Sequence, residues 1–425
     1  MSAKRILWVV TLFFVVAGTA WSAPSPMEVT LLGTGSPIPL IERFGPSTLV
    51  EAGGEKLLFD CGRGVPIRLW QLHLSLSSVS AVFLTHLHSD HVSGLPDFWL
   101  TGWLPPPWGH RTAPVRIWGP IGTKDLMANL QRAFAWDIEK RQPDENLGPE
   151  GVSVVVEEIA EGVVYEQHGV KVTAFEVDHG ELLKPAFGYR VDYQGVSVVI
   201  SGDTRPTENL IKFAAGTEVL IHEVAQAPPG QMKRSDSARR IVGHHTTPEQ
   251  AGQIFTRVKP RLAVYSHIAL LTTEPHVPAP TVKDLVAATR TSYRGPLEVG
   301  EDLMSIDIGP TIKVHRFVHS DRVLRHSIKR GRAPQNRGLG PAIQRAWPMR
   351  SALSAPYAKG IRGPLDFRLS EPLRWRSRLL QEPNVSSFER LGEMPGRPAP
   401  RCTGRERTGC VCRASCGAKS GAAPS

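Results

Sequence analysis

Short apolar runs separated by Gly, Pro, Asn and Ser recur from Glu28 to about Ile308. Glu28-Val29-Thr30-Leu31-Leu32 reads as a strand, broken by Gly33 to Pro37. Ser47 to Val50 and Leu57 to Phe59 read as a hairpin about Gly53-Gly54. Val79 to Leu84 is apolar, β-branched and bounded by serine, which predicts a short buried strand. A helix is predicted from about Gly94. There Trp99, Trp103 and Pro105 to Pro107 either pack or line an apolar lip. Val115 to Trp118 is a further strand. Thr123 is predicted to cap a helix with Leu126, Met127, Leu130, Ala133 and Phe134 on one face. Val152 to Val156, Val163 to Tyr165 and Val170 to Val177 read as strands. Tyr189 to Tyr193 and Val196 to Ile200 form a hairpin about Gln194-Gly195. Val219 to Ile221 and Leu262 to Tyr265 read as strands ending at His222-Glu223 and Ser266-His267. Thr247-Pro248-Glu249-Gln250 carries a capping box that starts a helix running to about Val258. A helix from about Val282 to Arg290 and closing strands complete the pattern. Strands in both halves with interspersed helices predict a mixed α/β fold of layered sheets.

The two ends have a different texture. Lys4-Arg5 precedes an apolar run from Ile6 to Ala17, and Ala20 and Ser22 bracket Trp21. This predicts a secretory signal peptide over residues 1–22, a periplasmic or secreted location and no membrane span after processing. An uncleaved anchor is the alternative. From Val318 to Ser425, Arg, Pro, Gly and Ser dominate, which predicts a mostly disordered tail. The formal net charge of +10 belongs to that tail, with 21 Lys and Arg against 7 Asp and Glu. The rest of the chain carries 29 against 33, so it has no overall cationic field to attract nucleic acid. Nucleic acid is therefore expected at the tail if anywhere. Cys402, Cys410, Cys412 and Cys416 crowd the tail at spacings that match no familiar zinc knuckle, and their pairing cannot be read from sequence.

Candidate chemistry concentrates in Thr85-His86-Leu87-His88-Ser89-Asp90-His91. Imidazoles and a carboxylate suit zinc or a similar borderline metal. In an extended segment alternate side chains point the same way, so His86 and His88 can reach one ion. Asp90 and His91 follow as the chain turns and can reach a second. A solvated His-rich loop is the bland alternative, but so compact a cluster after an apolar strand is uncommon.

This cluster resembles the metallo-β-lactamase superfamily of binuclear metal hydrolases. The opening Gly33-Thr34-Gly35-Ser36-Pro37, with Phe59-Asp60-Cys61-Gly62-Arg63-Gly64, resembles its ribonuclease Z and arylsulfatase branch. The resemblance implies an αββα four-layer sandwich over residues 28–314, with the metals at one sheet edge. It implies that His86, His88 and His179 bind one metal, that Asp90, His91 and His267 bind the other, and that Asp203 bridges them. Two zinc ions are expected; iron or manganese would suit the same ligands. Asp60 would prop the metal loop from behind, against the alternative of a helix N-cap. Asp90 would orient a water activated by the two ions. His245, oriented by Glu223, would contact the scissile group and protonate the leaving oxygen; His244 is the alternative by one residue.

Two departures weaken a tRNA substrate. Arg63 and Val65-Pro66 stand where ribonuclease Z has an acidic residue and a Gln. The interval from His179 to Asp203 is too short for that family's tRNA-holding arm. The expectation is an exported dinuclear-zinc hydrolase of small anionic esters, either phosphodiesters or aryl sulfates. The alternatives are a ribonuclease Z-like 3′-tRNA processing endoribonuclease or, from another class, a non-catalytic metal- or nucleic-acid-binding protein. A homodimer is compatible with the resemblance.

Overall fold

Strand residues alternate between two apolar environments, and this alternation sets the layers. Along the first strands Val29, Leu31, Val50, Leu57 and Phe59 face one core, while Leu32, Leu49 and Leu58 face another. Burial on both faces places apolar residues at consecutive positions, as in Leu31-Leu32, Leu49-Val50 and Leu57-Leu58-Phe59. The computed structural model describes residues 25–317. The predicted signal peptide and the basic tail with its four cysteines lie outside the described residues.

One sheet contains β1 (Met27–Gly33), β2 (Ser47–Ala52), β3 (Glu55–Phe59), β4 (Ala81–Phe83), β5 (Val115–Gly119), β6 (Val154–Glu158), β14 (Met304–Ile308) and β15 (Ile312–His315). Its order is β15-β14-β1-β2-β3-β4-β5-β6. The second contains β7 (Gly162–Gln167), β8 (Val170–Val177), β9 (Ala186–Tyr193), β10 (Val196–Ile200), β11 (Val219–Gln226), β12 (Leu262–Leu270) and β13 (Leu297–Val299), ordered β13-β12-β11-β10-β9-β8-β7. Between the sheets, Val29, Leu57, Phe59 and Phe83 meet Val172, Tyr189, Val198 and Val264.

Helices cover both outer faces. On the first lie α1 (Val65–Gln71), α2 (Ser89–Val92), α3 (Leu95–Trp103), α4 (Thr123–Ala133) and α5 (Ala135–Asp144). Beyond the second lie α6 (Glu208–Ala214), α7 (Pro229–Arg234), α8 (Asp236–Val242), α9 (Pro248–Val258) and α10 (Val282–Thr289). The result is the expected four-layer α/β sandwich. Trp99 and Trp103 are buried packing residues, and their indole N–H groups donate to Val152 O and Gly148 O. Three local readings change. Thr123 is the first helical residue after a Gly122 cap, and its hydroxyl donates to Pro120 O at 2.6 Å. Neither β11 nor β12 ends where expected. Each continues through a register shift, between His222 and Val224 on β11 and opposite it on β12.

Direction matters more than count. β3 to β6 run parallel, as do β10 to β13. β8 shares the direction of β10 through the antiparallel β9 between them. The C-terminal ends of β3, β4, β8 and β10 therefore meet at one edge of the sandwich.

Phe83 sits at the centre of the inter-sheet core, with ring centroids 5.0 Å from Phe59, 5.2 Å from Trp118 and 5.7 Å from Tyr165 and Tyr189. Phe83→Ala should cost about 3–5 kcal/mol of unfolding free energy. Urea melts would contradict this if the loss were under about 1 kcal/mol.

Candidate metal centre

Each candidate ligand leaves a strand or a bulge at that shared edge. His86 and His88 follow β4, with His88 as the N-cap of α2; Asp90 and His91 lie in its single turn. His179 follows β8, and Asp203 follows β10. His267 sits inside β12 at φ 44°, a left-handed conformation that turns its ring out of the sheet's alternation. Two glycines make room. A Cβ on Gly62 would meet Asp90 O at 2.6 Å, and one on Gly202 would meet Phe187 O at 2.4 Å.

All seven candidate ligands come together. His86 Nε2 lies 3.0 Å from His88 Nδ1, and His179 Nε2 lies 3.3 Å from the same atom. His267 Nε2 lies 3.3 Å and His91 Nε2 3.7 Å from Asp90 Oδ2. Between these two groups stands Asp203. Its Oδ2 is 3.9 Å from His86, 3.8 Å from His179, 3.4 Å from His91 and 3.2 Å from His267. One carboxylate thus faces both triads, as a bridge requires.

Electrostatics suit cations here. Burial pushes His86 well down and His179 down to about 4, so both rings are neutral, the form that binds metal. Burial opposes charge on Asp203 too, but His267 and His91 override it and hold the carboxylate ionised. Burial would also lower His91, yet Asp203 and Asp60 raise it well above its ordinary value. The field at that ring favours positive charge. His91 Nε2, Asp203 Oδ1 and His267 Nδ1 are buried without a hydrogen-bond partner. Unsatisfied atoms of this kind are costly unless a ligand takes them up. The donors, all imidazole and carboxylate, fit zinc.

The supports are as informative as the ligands. Asp60 Oδ1 accepts from Thr85 N at 2.8 Å, and Oδ2 lies 2.8 Å from His91 Nδ1. It props the metal loop; the N-cap of α1 is Gly64 instead. Glu223 lies in β11 with its carboxylate buried, accepting from Thr246 N at 2.8 Å and Thr204 N at 3.3 Å. Its other oxygen accepts from His245 Nδ1 at 3.2 Å. Burial lowers His245, but the Glu223 carboxylate overrides this and the ring rises to about 9. His244 turns its side chain outward and contributes its carbonyl, which accepts from His179 Nδ1 at 2.9 Å. Of the two histidines, His245 is the one turned into the cluster.

Sequence reasoning missed three supports. Thr85 Oγ1 contacts Asp60 Oδ2 at 2.9 Å and His86 Nδ1 at 3.0 Å. Asp178 and Arg205 clamp the His179 and Asp203 loops together: Arg205 N donates to Asp178 O at 2.7 Å, and the side chains pair at 2.5 Å. Each adjoins a ligand or lies two residues from one, and adjacency was the available signal.

Comparison with known proteins identifies the family. Residues 55–268 match the family model described as a beta-lactamase superfamily domain. The chain is 36% identical over 286 residues to a protein named ribonuclease Z from Mycolicibacterium gilvum, covering 67% of this chain and 98% of that one. A ribonuclease Z from Mycobacterium avium is 37% identical over 289 residues, covering 66% and 98%. Among solved structures, the short form of human tRNase Z aligns with a TM-score of 0.49 at 23% identity, covering 66% of this chain and 99% of that one.

Asp60→Asn should place an N–H where Oδ2 accepts from His91 and so weaken zinc binding about 10–100-fold. Chelator competition on the refolded apoprotein measures this, and unchanged affinity would remove Asp60 from the supporting role.

Proposed function

Because the chain belongs to the beta-lactamase superfamily, whose chemistry is metal-dependent hydrolysis, we propose that it cleaves phosphodiester bonds in RNA, as the name of its ribonuclease Z relatives suggests. The observation that carries this reading is the Glu223–His245 pair at the mouth of the ligand cluster. A protonated imidazole there suits an anionic substrate. It can offset a non-bridging phosphate oxygen and hand a proton to the departing one.

Bound metal ions would lower the pKa of a shared water and offset charge on the phosphate. The chain's own groups supply the rest. His86, His88 and His179 would hold one ion, and Asp90, His91 and His267 the other, with Asp203 between them. Asp90 is held ionised: burial raises it, and the hydrogen bond from His267 and the charge of His91 more than offset that. Its carboxylate can accept a hydrogen bond from the attacking water and aim it. Glu223 is fixed by two backbone amides, so it holds the His245 ring in one orientation through Nδ1. That leaves Nε2–H for the substrate.

Sequence alone ranked small esters above RNA; the relatives, matched over nearly their whole length, favour RNA. One observation supports a second reading, a hydrolase of small phosphodiesters. The β9–β10 hairpin fills much of the interval from His179 to Asp203, and no projecting arm stands there. Location bears on the choice as well, and fractionation of the native host tests the export expected from residues 1–22.

Full-length protein loaded with zinc should cleave a 3′-extended tRNA precursor faster than it turns over an aryl phosphodiester or an aryl sulfate. His245→Ala and Asp90→Ala should each lower RNA cleavage at least ~10²-fold. Turnover of aryl sulfate with the precursor left intact would overturn the proposal.

A further inference from the structure

The domain outside the tail is net acidic, yet one exposed segment reverses that sign. Residues 229–244 carry Lys233, Arg234, Arg239 and Arg240 against Asp236 alone. They form α7 and α8, inserted between β11 and α9. The underside is a thin apolar layer of its own, made of Ala225, Ala227, Ala238, Val242, Ala269 and Leu271. All four cations are exposed on the outer side.

This element joins a segment that supports the metal centre at one end and the chain beyond β12 at the other. At one end α7 is pinned to Thr272 and Thr273, five and six residues beyond His267: Gln231 Nε2 donates to Thr272 Oγ1 at 2.7 Å, and Thr273 N donates to Gln231 Oε1 at 2.8 Å. At the other end α8 passes through Gly243 into His244, whose carbonyl holds the His179 ring, and then into His245. Arg240 lies four residues before His244, so its backbone is within about 10 Å of that carbonyl. Arg234 pairs with Glu274 at 2.7 Å, and Arg239 pairs with Asp236. Among the described residues no ion pair includes Lys233 or Arg240. Two unneutralised cations thus stand on a ridge that runs directly into the reacting edge of an acidic domain.

Resting on the RNA reading above, we propose that the outer face of α7–α8, centred on Lys233 and Arg240, is the surface on which the RNA backbone flanking the scissile bond docks. A small ester does not reach this ridge, whereas a polynucleotide leaving the site must pass over some such face. Phosphate contacts of this kind position the strand without reading its sequence, and each one lost removes about 0.7–0.9 from the salt slope.

The test compares zinc-loaded full-length wild type with Lys233→Glu/Arg240→Glu and the milder Lys233→Gln/Arg240→Gln. The probes are a 3′-extended tRNA precursor and bis(p-nitrophenyl) phosphate. Lys171→Glu/Lys313→Glu is the charge-matched control. Lys171 lies at the far end of β8, about 26 Å of extended chain from His179, and Lys313 pairs across β14 with Asp307, level with Glu28 at the start of β1. The charge-reversed ridge should lower the ratio of RNA to small-diester kcat/KM at least tenfold, mainly through KM. Its RNA salt slope should fall by about 1–2. The Gln pair should fall between, and the control should stay within about twofold of wild type. If wild type cleaves the precursor while the ridge variants keep the wild-type ratio and salt slope, the docking surface lies elsewhere and the RNA reading stands. If wild type hydrolyses the small diester and spares RNA, the RNA reading itself fails and this inference falls with it.

Discussion

A buried carboxylate ringed by imidazoles is the constraint around which this molecule is arranged. Asp203 Oδ2 has five histidine nitrogens within 4.0 Å, those of His86, His91, His179, His245 and His267. Removing such a charge from water is costly unless cationic or hydrogen-bonding partners surround it. Those partners cannot come from one segment. They arrive from β4 and α2 on one sheet and from β8, β12 and the turn after α8 on the other side. The parallel strand directions, the glycines at positions 62 and 202 and the left-handed backbone at His267 are all conditions for that convergence.

Legibility in the sequence followed locality. The compact cluster from His86 to His91 could be read directly, because ligands two and five residues apart share a loop. His179, Asp203 and His267 needed a resemblance to a known family, since a lone His or Asp at a strand end carries little information. The register shift of β11 was invisible, because a bulge depends on what the neighbouring strand does. So Glu223, expected after a strand, proved to lie within one. The small helices α7 and α8 also escaped. Each spans under two turns, and their buried side is mostly alanine, so no apolar periodicity rises above the background. Summed charge hid a local feature for a related reason. An average over the whole domain concealed a local reversal of sign on residues 229–244.

The supports around the ligands explain why a fold shared by many hydrolases can hold one geometry so firmly. Thr85, Asp60 and His91 form one hydrogen-bonded set, and Glu223, Thr204, Thr246 and His245 form another. Each set joins segments distant in sequence, and the Asp178–Arg205 clamp joins the loops between them. A tetrahedral anion entering this edge meets groups that are already oriented, which is what electrostatic catalysis requires. Selectivity among such anions must then come from surfaces beyond these sets.

The two sheets are not only pressed together by side chains; they are stitched at the reacting edge. Phe187 N donates to Thr85 O at 2.9 Å, and the Tyr189 hydroxyl donates to Leu84 O at 2.6 Å. Both bonds run from β9 to the turn carrying His86. A sandwich fastened this way resists shear where its ligands lie. Under the RNA reading proposed above, admission of a bulky polymer would fall to the outer loops and the alanine-backed helical pair rather than to any parting of the layers.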